Sequence, residues 1–85
     1  MTSVEALAAL STIEEFDWLT KSGTTMYTTS EIAEHVGISA NTVRGWAGDV
    51  RGTIDYEGKL GLRFPRSGLL IFFAERIRGR GTQTG

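Results

Sequence analysis

At 85 residues, 40% hydrophobic, 22% charged and without cysteine, the chain has the composition of one small globular domain that uses neither disulfides nor thiolate metal sites. No apolar run approaches the roughly 18 residues that cross a bilayer, and Met1-Thr2-Ser3-Val4-Glu5 lacks the basic flank and apolar block of a signal peptide. A cytoplasmic protein with no membrane association is expected. The net charge of −1 hides a sorted distribution: Lys21 is the lone basic residue before Asn41, while Arg44, Arg51, Lys59, Arg63, Arg66, Arg76, Arg78 and Arg80 follow it. An acidic first half and a basic second half allow a strong field on one face despite a small total.

In chain order, the alanine-rich stretch Val4–Leu10 predicts a short helix. Apolar residues at every third position from Val4 to Leu19 drift around a helical cylinder, so one straight helix to Leu19 is not expected. Thr12 and Glu15 have capping-box spacing and predict a second helix over 12–21, closed by Ser22-Gly23. Residues 24–26 read as a linker. Thr28 and Glu31 form a second capping box, with Tyr27 and Ile32 at staple positions, for a helix over 29–35 that stops at Gly37. Ser39 is a good N-cap for a third helix running to about Asp49. Gly45 and Gly48 weaken that helix by roughly 1 kcal/mol each, which suggests a close approach there.

The runs 53–56 and 60–64 flank Glu57-Gly58-Lys59 as a β-hairpin. Pro65 then opens a helix over 66–78, with Leu69, Leu70, Phe73 and Ile77 on one face. Residues 79–85 read as a flexible tail. The expected fold class is mainly α with a small β-hairpin, organised as an N-terminal helical extension (1–23), a winged helix-turn-helix domain (24–78) and the tail.

The strongest functional signal lies between Thr29 and Trp46. Two short helices meeting steeply need a small contact residue, a turn residue tolerant of positive φ and apolar residues closing the wedge. Ala33, Gly37 and the set Ile32, Val36, Ile38, Val43 and Trp46 supply them. Tyr27-Thr28-Thr29-Ser30-Glu31-Ile32-Ala33, Val36-Gly37-Ile38-Ser39 and Thr42-Val43-Arg44-Gly45-Trp46 resemble the MerR-like and phage excisionase-like winged helix-turn-helix domains. The hairpin and Leu62-Arg63-Phe64-Pro65-Arg66-Ser67 are similar to the wing and following helix of that superfamily. The resemblance spans about Tyr27 to Ile77 and implies duplex DNA as partner, in a bacterial or phage setting. Transcription regulation is the default process, with recombination or chromosome organisation as the alternative. MerR-type regulators carry a C-terminal coiled coil and effector domain that these residues do not contain, so effector sensing is not implied.

In a helix-turn-helix the second helix enters the major groove by its N-terminal end. With Val43 and Trp46 inward, the outward residues are Ser39, Asn41, Thr42 and Arg44. Asn41 can pair with adenine and Arg44 with guanine or a phosphate, while Ser39 and Thr42 suit phosphates. Arg51 is a further phosphate candidate. Lys59 at the hairpin tip, with Arg63 and Arg66 at its base, would form the wing contacts. No cofactor or metal is expected. A Ser-His-Asp set can be assembled on paper from Ser39, His35 (the single histidine) and Asp49, but nothing in the spacing requires it, so an enzyme is not expected. A protein-interaction module using the apolar face at 69–73, or a homo-oligomer, is the remaining alternative class.

Overall fold

The computed structural model describes residues 1–56 and 61–84. Helix α1 (Ser3–Leu10) is opened by a capping box that sequence reading passed over: Thr2 Oγ1 accepts from Glu5 N–H, and Glu5 returns a carboxylate to the Thr2 N–H. The Thr2 backbone N–H first, and the Thr2 hydroxyl second, hold the Glu5 carboxyl below its usual range. The helix ends at Ser11, and the chain restarts as expected, but not through the expected cap. The Thr12 hydroxyl donates back to the Ala9 carbonyl, and the cap position falls to Ile13. A 3₁₀ turn (Glu14–Phe16) follows from Ile13 with no side-chain cap, and then the four-residue helix α2 (Asp17–Thr20). The expected helix over 12–21 is thus two short pieces. Residue Leu19 is still buried, with Ile13, Phe16 and Trp18 half-buried beside it.

Met26, read as the end of a linker, joins the staple residue Tyr27 and the cap residue Thr28 in strand β1 (Met26–Thr28). It pairs antiparallel with β3 (Gly61–Pro65), which in turn pairs with β2 (Ile54–Tyr56), giving the sheet order β1-β3-β2. Three residues carry no readable periodicity. Met26–Thr28 becomes a strand because the second hairpin strand offers its free edge to it, with Tyr27 opposite Phe64. Helix α3 (Thr29–Val36) starts at the expected box, Thr28 N–H to Glu31 Oε1 at 2.8 Å and Glu31 N–H to Thr28 Oγ1 at 3.1 Å. Thr28→Ala is expected to cost about 1 kcal/mol, read as a Tm lower by roughly 4–8 °C.

Helix α4 (Ala40–Arg44) is five residues long and does not reach Asp49. Beyond Arg44 the backbone tightens, with Trp46 N–H bonded to Val43 O and Ala47 N–H to Arg44 O, and it winds through turns to Val50. The glycine pair at 45 and 48 permits this unwinding. No close packing explains it: a Cβ at Gly48 meets nothing within 4 Å, and one at Gly45 meets only its own α4 carbonyls.

Helix α5 (Arg66–Thr84) runs past the expected stop at Arg78. Its first turns are nucleated by packing, and each added residue then closes one more hydrogen bond, set against about 1 kcal/mol for each glycine. Gly85 lies outside the described residues. Leu69, Leu70, Phe72, Phe73 and Ala74 are all buried, and α1 packs along this helix through Ala6 and Leu10, both fully buried. The apolar face considered above as an interaction surface is therefore spent inside the chain. One core joins α1 and Leu19 to Tyr27, Ile32, Val43, Trp46 and Phe64, so the N-terminal segment completes the domain. No described helix is long and apolar enough to cross a membrane.

Candidate nucleic-acid interface

Helix α3 closes on Gly37, whose φ of 79° places it in the left-handed region that favours glycine. The N–H groups of Gly37 and Ile38 both bond the Ala33 carbonyl, at 2.8 and 3.1 Å, and so turn the chain sharply into α4. Ser39 caps that helix: its Oγ accepts from Thr42 N–H at 3.3 Å and lies 2.9 Å from Thr42 Oγ1. Val43 and Trp46 pin α4 to the core, with Ile32 and Ala33 of α3 also buried. Ile38 is half-buried. Val36, expected in this shared core, is exposed instead, because it is the last residue of α3 and stands beyond the contact at Ala33.

Ser39, Asn41, Thr42 and Arg44 are all exposed and share the start and outer side of α4. They are coupled to one another. The Arg44 guanidinium donates through Nη1 to Asn41 Oδ1 at 2.6 Å, one turn back, rather than to Asp49 or Glu34. The Asn41 carbonyl oxygen is thereby occupied, leaving its amide N–H groups and the rest of the Arg44 fork as outward donors. Such an edge suits an acceptor-rich partner: phosphate oxygens, or guanine O6 and N7. Bidentate pairing of Asn41 with adenine would call on the second lone pair of that same oxygen.

The other sequence candidates are not gathered at this edge. Arg51 is exposed but lines a recess beside α5 together with Asp49 and Glu75, whose charges oppose phosphate attraction there. Arg63 sits at the centre of β3, opposite Thr28 and Ile54, and donates to the Leu62 carbonyl at 3.2 Å. Strand alternation puts it on the sheet face away from Leu62 and Phe64. Lys59 lies outside the described residues. Arg66 is a correction: its Nε and Nη2 donate to the Leu19 and Thr20 carbonyls, both at 2.8 Å, so its guanidinium closes the end of α2 instead of facing a ligand.

Two features escaped sequence reading. Trp18 lies stacked on His35, ring centroids 4.7 Å apart and 3° from parallel, which ties the N-terminal segment to the end of α3. The Arg76 guanidinium rests over Phe72 and Trp46, at 4.5 and 5.5 Å from their ring centroids. Neither has a local signal, since each joins elements far apart in the chain. Compared with known proteins, the chain matches no family model, no curated protein and no solved structure.

Proposed function

We propose that this chain is a winged helix-turn-helix protein that binds duplex DNA, with α4 as the recognition helix and the β2–β3 hairpin as the wing. The observation that carries this reading is a short helix with a polar exposed outer side, seated by buried Val43 on the helix and buried Trp46 in the turn after it. Val43 and Trp46 fix α4 to the core, while Ser39, Asn41, Thr42 and Arg44 stand exposed around a linked Asn41–Arg44 donor edge. A helix held this way can lie in the major groove with those residues at base edges and flanking phosphates. Arg44 is the principal contact, and Ser39 and Thr42 position the backbone. Arg63, on the outward sheet face, and Lys59 supply the wing. Regulation of transcription is the process this reading favours; an architectural part in recombination or chromosome organisation uses the same interface.

The test is fluorescence anisotropy of a labelled random-sequence duplex titrated at two salt concentrations. With three cationic contacts, affinity should fall by roughly 40-fold between about 50 and 200 mM salt, as counterion release demands. Arg44→Ala should weaken binding about tenfold, the loss of one bidentate contact. Tight binding that ignores salt, or no binding at low salt by a folded chain, overturns the proposal.

A further inference from the structure

Between the N-terminal segment, the helix pair and α5 lies a cavity of about 540 Å³, within the size range of small-molecule sites (roughly 300–1,000 Å³). Its walls are aromatic. Phe73 of α5 forms the floor, with the rings of Phe16, Trp46 and Trp18 centred 5.1, 5.6 and 6.2 Å from it. The Trp18 indole is stacked on the parallel His35 ring, which also lines the space. These contacts fix the rings in different planes around one space, so the cavity is largely pre-formed.

The rim carries a charge with unused hydrogen bonds. The guanidinium of Arg76 is positioned by the faces of Phe72 and Trp46, and it has no carboxylate or carbonyl partner among the described residues. A guanidinium held over aromatic rings by its charge still has N–H donors to offer a planar anion. Glu15 stands on the same rim and disfavours a second negative charge on the occupant.

We propose that this cavity binds a small planar aromatic monoanion: one or two fused rings bearing a carboxylate. The rings lie against Phe16, Trp18, Trp46 and Phe73, and the carboxylate takes the Arg76 fork. Thr42 also lines the space, so an occupant would touch α4 at this exposed residue. The site is defined without reference to DNA and does not depend on α4 binding it.

The experiment titrates naphthoate, and separately the uncharged naphthalenemethanol, into isotope-labelled full chain in the absence of DNA. Saturable shifts are expected at the Trp18 and Trp46 indole N–H groups and the Thr42 amide. The acid should bind about tenfold more tightly than the alcohol, the share of one charged hydrogen-bonded pair. Arg76→Gln should abolish that preference and leave alcohol binding unchanged, which separates loss of the anion contact from loss of the fold. Shifts confined to other surfaces, equal affinity for acid and alcohol, or a preference that survives Arg76→Gln would each overturn the assignment. So would silence up to millimolar probe in a folded sample.

Discussion

Gly68→Ala is expected to destabilise the chain by about 3 kcal/mol, near the upper end of the usual cost of overpacking. Such a loss lowers Tm by roughly 12–24 °C in a domain of this size. In most helices this change gains stability, since alanine outranks glycine by about 1 kcal/mol. Here the sign reverses. Gly68 is buried in the first turn of α5, and a Cβ there would overlap the Arg51 carbonyl oxygen while lying 3.1 Å from Val50 Cγ1 and 3.2 Å from Pro65 Cγ. The obstacle is backbone, and it cannot rotate aside. The adjoining turn is held by Val50 N–H to Trp46 O at 2.9 Å and by the Thr53 hydroxyl to Val50 O at 2.7 Å. Either α5 lifts from the core or the segment after α4 shifts. Gly48→Ala is the matched control, because its Cβ meets nothing within 4 Å and its φ is not positive. It should leave stability within about 0.5 kcal/mol or raise it slightly. Urea denaturation followed by circular dichroism reads both variants, and equal effects would refute the close approach at Gly68.

Arg66→Ala should cost about 2 kcal/mol and leave the salt dependence of the proposed DNA binding unaltered. Helix α2 has only four residues, so its carbonyls find few partners within the helix. Arg66 supplies two donors to them, and its own N–H bonds Thr25 O at 2.9 Å, locking α2, the start of β1 and the start of α5 together. Truncation strands two partly buried acceptors, and each charged hydrogen bond of this kind is worth roughly 1.5–3 kcal/mol before solvent recovers some of the loss. Arg66→Lys should restore less than half, since an ammonium cannot present two parallel donors at fixed spacing. If Arg66 instead contacts phosphate, the alanine variant will keep its Tm and lower the slope of log affinity against log salt by about one.

The elements legible in the sequence are those decided within one turn of chain. Thr28 with Glu31, Gly37 and Ser39 each satisfy backbone groups three or four residues away, so residue type and spacing were enough to place both ends of α3 and the start of α4. The hairpin and the apolar face of α5 were readable for the same reason. The outward set Ser39, Asn41, Thr42 and Arg44 followed once Val43 and Trp46 were assigned inward.

Where two local signals competed, the tertiary structure chose. Thr12 had the spacing of a cap, but its hydroxyl found the Ala9 carbonyl of a helix already packed on α5, and the box that formed was the one at Thr2. Strand β1 exists because β3 presents an edge some 37 residues along the chain. The guanidinium of Arg66 met carbonyls 46 and 47 residues away before it could serve as a wing contact. The close approach that glycine permits lies at Gly68 rather than at Gly45 or Gly48, because only α5 is pressed against another backbone. The aromatic cavity and the seating of Arg76 belong to the same class, since they join rings from opposite ends of the chain. Capping and turn preferences are energies of neighbouring residues and can be read from sequence. Which donor meets which distant acceptor depends on how the apolar faces pack, and so it was decided only by the folded chain.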